Sequence, residues 1–146
     1  MSENGDFFEL ASFLPYRFAV AAERLSAGLA RHYRSEFGIS VAEWRILAHA
    51  ADAGAVSIRE IHLRVSVEKS KASRAAARLV TAGYLMKDVN AQDRRLVALT
   101  LTPEGSNLMA KLATIADAYQ ARLLTMFGPH MASLSIVLDL ITEEAS

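Results

Sequence analysis

The sequence predicts a mainly α-helical fold with one small β-hairpin near its middle, and three observations carry that expectation. Apolar residues recur at spacings of three and four over most of the chain, which is the helical period. The period changes to two only around residues 84–101. Serine, threonine and proline stand where the periodic segments start and glycine where they stop, as helix boundaries require. With 146 residues, 52% apolar and 22% charged, the chain can bury a real core and is neither a disordered tail nor a linker. It has no apolar run of about 18 residues and no charged-then-apolar leader, so no membrane span and no secretory signal is expected. Cysteine is absent, which excludes disulfides, thiolate metal sites and thiol chemistry and fits a cytoplasmic setting.

Pro15 suits the first turn of a helix, and Leu14, Phe18, Ala21, Ala22, Leu25, Leu29 and Tyr33 continue it to Gly38. Ahead of it, Phe7, Phe8, Leu10 and Phe13 are too apolar for a free tail and are expected to pack on something, a second subunit included. Ser40-Val41-Ala42-Glu43 reads as a capping box opening a helix to about Asp52, and Ser57-Ile58-Arg59-Glu60 as a second one opening a short helix. A third helix is expected over Ser66–Ala82, with Glu68 in its first turn and Val67, Ala72, Ala75, Ala76 and Leu79 on its apolar stripe. Tyr84–Val89 and Arg95–Leu101 read as two strands around the polar turn Asn90–Arg94. Thr102-Pro103-Glu104 caps the next helix, whose stripe runs from Leu108 to Phe127 before Gly128-Pro129 breaks it. A last helix carries Met131, Leu134, Val137, Leu138 and Ile141. Gly38, Gly54, Gly83, Gly105 and Gly128 all read as helix-end glycines rather than a phosphate loop.

The net charge is zero, yet residues 57–95 hold nine basic and four acidic side chains, a local excess of +5 between two acidic flanks. A localised excess of that kind suggests an anionic partner. Two short helices joined by a tight turn, the second basic, then a hairpin with a basic tip form the order of a winged helix-turn-helix. An α-helix fits the major groove of B-DNA. On the Ser66–Ala82 helix, Lys69, Ser70, Lys71, Ser73, Arg74 and Arg78 lie off the apolar stripe. Ser70, Ser73 and Arg74 are the candidates for base contacts, with Lys69 and Lys71 on phosphate. At the hairpin tip, Arg94 and Arg95 suit a minor groove, where a narrow cleft concentrates negative potential. Asp93 would repel phosphate, so it is expected to anchor the wing by pairing with an arginine of the recognition helix.

The order Trp44-Arg45-Ile46-Leu47, Ala72-Ser73-Arg74, Leu79, Gly83, Asp93-Arg94-Arg95 and Leu99-Thr100-Leu101-Thr102-Pro103-Glu104-Gly105 resembles the MarR family of bacterial transcriptional regulators over nearly the whole chain. The resemblance implies a homodimer, a winged domain in each copy, palindromic double-stranded DNA, repression, and often a small acidic or phenolic effector. The whole chain then reads as one MarR-like domain, with 1–37 and 103–146 as helical dimerisation region and 38–102 as the winged DNA-binding region. The apolar stripes on the terminal helices independently call for a partner surface, which a second copy supplies by symmetry.

For an aromatic or carboxylate effector, the polar candidates between the helical ends and the winged region are Tyr16, Arg17, His32 and Arg45, an arginine being suited to a carboxylate. The four histidines show no metal-ligand spacing and no nucleophile motif occurs, so neither a metal, a cofactor nor an enzyme is expected. Two rival readings use the same helices without DNA: a dimeric protein-interaction module, and a small-molecule carrier.

Overall fold

In the computed structural model, which describes residues 8–65 and 67–145, helix α1 spans Leu14–Phe37 with Pro15 in its first turn. Gly38 ends it in the left-handed conformation (φ 67°), which costs glycine least. Its N–H bonds to the Arg34 carbonyl at 3.1 Å, and the Ile39 N–H to the Tyr33 carbonyl at 3.3 Å. That reversal buries Tyr33 and Ile39 together. A single 3-10 turn, Leu10–Ser12, precedes α1, and the Phe8 and Phe13 rings meet edge-on at 4.9 Å while both stay exposed. Phe7 of the same apolar run lies outside the described residues.

Helix α2, Val41–Ala53, begins as its capping residue predicts: the Ser40 hydroxyl accepts the Glu43 N–H at 3.2 Å. The second capping box is overturned. Val56–Ser57 form a short strand, β1, antiparallel to β3, with Val56 opposite Leu99 and Ser57 opposite Ala98. Val56 and Leu99 are both buried, and the ladder extends to an Ile58 N–H bond on the Val97 carbonyl at 2.9 Å. Burying that pair holds Ser57 extended, so helix α3 starts only at Ile61 and runs to Val65.

Ser66, the expected start of the next helix, lies outside the described residues. Helix α4 spans Lys69–Thr81, with Glu68 at the N-cap position rather than in the first turn and making no side-chain cap bond. The chain is still turning at Val67, whose N–H bonds back to the His62 carbonyl at 3.3 Å. The expected two-stranded hairpin is in fact the larger part of a three-stranded antiparallel sheet, ordered β1-β3-β2. Strand β2 is Leu85–Val89 and β3 is Val97–Leu101, with Leu85 paired to Leu101 and Val89 to Val97. Ala72, Ala75, Ala76 and Leu79 of α4 are buried and pack with α2 and α3, where Ile46, Leu47, Ala50, Ile61 and Val65 are also buried. Small side chains on α4 let these short helices approach closely.

Helix α5, Pro103–Phe127, is anchored by Thr102, whose hydroxyl accepts the Gly105 N–H at 3.0 Å and donates to the Gly83 carbonyl. Gly105 is therefore not a helix-end glycine. It sits buried in the first turn, where an added Cβ would be driven into the Tyr84 carbonyl oxygen.

The chain divides into two compact units after Met109. The second holds the rest of α5, a 3-10 turn at Gly128–His130, and helix α6, Met131–Ala145. Its helices leave Leu124, Met126, Ile136, Leu140 and Ile141 exposed. By length and composition alone the helical stretch Pro103–Glu143 is apolar enough to cross a membrane, which the sequence pattern did not suggest. Gly128 and Pro129 interrupt it.

Candidate nucleic-acid interface

Helix α4 separates its residues by face. The alanine–leucine stripe is buried, while Lys69, Ser70, Lys71, Ser73, Arg74 and Arg78 are all exposed. The six predicted residues are thus brought onto one solvent-facing side of one helix. Lys71, Arg74 and Arg78 follow at spacings of three and four, so they form a row along it. Such a surface can present guanidinium forks and hydroxyls to base edges and ammonium groups to phosphate. The Ser70 hydroxyl donates to the Glu68 carboxylate at 2.6 Å, which leaves its oxygen lone pairs as acceptors.

The wing tip is locally closed. The Asn90 side-chain oxygen accepts the Gln92 and Asp93 N–H groups at 2.8 and 3.0 Å. Asp93 then receives Arg95 three times: its N–H at 3.1 Å, Nε at 3.0 Å, and Nη2 on the second carboxylate oxygen at 3.0 Å. The expected partner, an arginine of the recognition helix, is not the one used. A carboxylate two residues before the guanidinium closes a minimal loop, which costs little chain entropy. The Arg95 side chain is still 82% exposed, and Arg94 is exposed beside it.

This pairing holds the Asp93 carboxyl below its ordinary range, chiefly through the Arg95 side chain, then its N–H, with the Arg59 charge adding to both. The same contact raises Arg95. A depressed folded-state value means the contact is complete above the ordinary aspartate range and is lost only as pH falls below it. Titrating the Asp93 carboxyl carbon by NMR should show a midpoint below that of a free aspartate, and Arg95→Ala should raise it toward the ordinary range without reaching it, because the residue-95 N–H and Arg59 remain.

The capping-box pattern accounts for Glu43 only in part. Glu43 is nearly buried, and its Oε1 accepts the Ser40 hydroxyl at 2.9 Å and Arg78 Nε at 3.3 Å. It therefore ties the start of α2 to α4. Arg78, predicted as a DNA contact, is half committed to this pair, with its side chain 56% exposed. Glu43→Ala is expected to cost about 1–3 kcal/mol in denaturant unfolding, with Glu43→Gln milder because an amide oxygen can still accept from Ser40.

The effector candidates separate. Arg45 donates to the Val65 carbonyl at 3.0 Å and to Ser26 Oγ at 3.2 Å, joining α2 to α1 and to the end of α3. It also lines a cavity of about 470 Å³ between α1 and α2, walled by Ala22, Ala30 and Val41 and rimmed by Arg31 and Arg34. Tyr16, Arg17 and His32 lie outside that lining, exposed on α1. The Trp44 ring packs on Tyr33 at 4.9 Å. Among the described residues no group of acidic residues and histidines could hold a metal ion.

Residues 40–105 match the family model for the winged helix DNA-binding domain. Among solved structures, the chain is similar to a MarR/EmrR family transcriptional regulator from Acinetobacter sp. ADP1, at 23% identity and TM-score 0.83, over 94% of this chain and 98% of that one. It is similar to a MarR family transcriptional regulator from Silicibacter pomeroyi DSS-3 at 26% identity and TM-score 0.77, over 92% and 99%. It is also similar to BpsR from Bordetella bronchiseptica, whose DNA binding is regulated by 6-hydroxynicotinic acid, at 19% identity and TM-score 0.78, over 96% and 98%. Comparison with curated proteins finds no match.

Proposed function

From a winged-helix DNA-binding domain carried in the fold of the MarR-family transcriptional regulators, we propose that this protein is a cytoplasmic, ligand-responsive repressor that binds a palindromic operator as a homodimer. The observation that carries the reading is the split of α4 into a buried alanine–leucine stripe and an exposed side of cations and hydroxyls. Arg74, Ser73 and Ser70 read bases, Lys69 and Lys71 neutralise phosphate, and Arg94 and Arg95 of the wing follow the minor groove, with Asp93 setting the aim of Arg95.

A second copy covers the apolar side chains that α5 and α6 leave exposed, and the pair spans half-sites about 34 Å apart. An aromatic carboxylate enters the α1–α2 cavity, where Arg31, Arg34 and Arg45 outnumber the single carboxylate, Glu23, among small apolar residues. Binding there favours a spacing of the two winged domains that no longer fits successive major grooves, so DNA affinity falls by population shift.

Selection of genomic fragments, followed by a salt titration of the best binder, tests the reading. Log affinity should fall linearly with log salt, with a slope of about −0.9 per phosphate neutralised. A protein that enriches no fragment, or binds with no such slope, is a carrier or an interaction module instead.

A further inference from the structure

A second concavity, of about 560 Å³, lies between the C-terminal end of α1, the start of α2 and the first turns of α4. Four cations line it, Arg34, Lys71, Arg74 and Arg78, against one carboxylate, Glu68, which the Ser70 hydroxyl holds. Three of them belong to the recognition helix, but Arg34 comes from α1. Arg34 also borders the α1–α2 cavity, so one side chain is shared by the two hollows. Its neighbours are committed, Arg78 to Glu43 and Arg45 to Ser26 and the Val65 carbonyl. None of the hydrogen bonds or ion pairs found among the described residues uses the Arg34 guanidinium.

We infer that Arg34 is a backbone-phosphate contact supplied from outside the helix-turn-helix, and that an anion in the α1–α2 cavity draws the same guanidinium away from DNA. The root of the side chain is fixed, because the Arg34 carbonyl takes the Gly38 N–H that closes α1. The long stem is free to swing, and the negative end of the α1 dipole keeps a cation there. A guanidinium binds a phosphate or a carboxylate through the same pair of N–H groups and so serves one of them at a time. Effector and operator then compete for a single fork, a local coupling that adds to the change in spacing of the two winged domains. The inference rests on the DNA-binding reading above.

The test uses the full-length protein and its selected operator, with affinity followed over a range of salt. Arg34→Ala should flatten the log–log slope by about 0.9 per protomer, one phosphate fewer in each half-site. Arg31 lines the cavity but not the basic groove. Arg31→Glu places a carboxylate three residues before Arg34 on the same helix face, a built-in stand-in for the bound anion. It should reproduce the Arg34→Ala slope and add no further change of slope in the double variant, while Arg31→Gln keeps the wild-type slope. Thermal melts equal to wild type establish that each variant is folded. An Arg34→Ala slope equal to wild type overturns the phosphate contact. Additive changes of slope in the double variant overturn the competition, because the glutamate then acts on DNA without Arg34. A wild-type protein with no salt-dependent operator binding fails the DNA-binding reading itself, a distinct result.

Discussion

Arg74→Ala is expected to weaken operator binding by roughly 5- to 150-fold per half-site and to relax preference at the bases it faces. The estimate is that of a bidentate base contact, about 1–3 kcal/mol. Arg74 occupies the centre of the exposed side of α4, one turn from Lys71 and Arg78, where groove entry by the first turns of a recognition helix is expected. The comparison that matters is with Arg95→Ala. Removing a wing arginine should weaken many sequences alike, whereas removing Arg74 should also compress the spread between the best site and its single-base variants. Anisotropy measurements across such a panel read both quantities. If Arg74→Ala lowers all affinities by the same factor, Arg74 holds phosphate and the base readers are elsewhere on α4.

Gly105→Ala should lower stability by about 3 kcal/mol, and the melting temperature by roughly 10 °C. Two effects oppose each other. Alanine is the better helix former by about 1 kcal/mol, which alone predicts stabilisation. Against it, the new methyl group would strike the Tyr84 carbonyl, a backbone atom that also accepts the Thr102 N–H at 3.1 Å. A flexible side chain could step aside, but a carbonyl pinned between β2 and the start of α5 cannot move without breaking the Thr102 anchor. The clash therefore outweighs the propensity. A variant that melts at or above the wild-type temperature would show that this junction relaxes freely.

The limits of sequence reading are visible in particular residues. Pro15 and Gly38 mark α1 because each acts through its own backbone preference, and the stripe from Leu108 to Phe127 predicts the length of α5 because periodicity is a property of near neighbours. Strand β1 was unreadable, since two residues show no period and Ser57 imitated a helix cap. Its pairing depends on Leu99, far along the chain. Glu43 looked fully employed by Ser40, and nothing in the pattern linked it to Arg78, 35 residues away. Gly105 looked like other helix-end glycines because close approach to a carbonyl leaves no trace in spacing.

Helix order, the composition of each face of α4 and the basic character of the wing are thus properties of the chain itself. They arise from preferences acting over three or four residues, which any stretch of polypeptide carries with it. Which carboxylate holds which arginine, where a third strand joins, and which side chain stands between two hollows were settled by folding alone. Apart from the local Asp93–Arg95 pair, those relations join residues tens of positions apart, and only burial of the shared core brings them together.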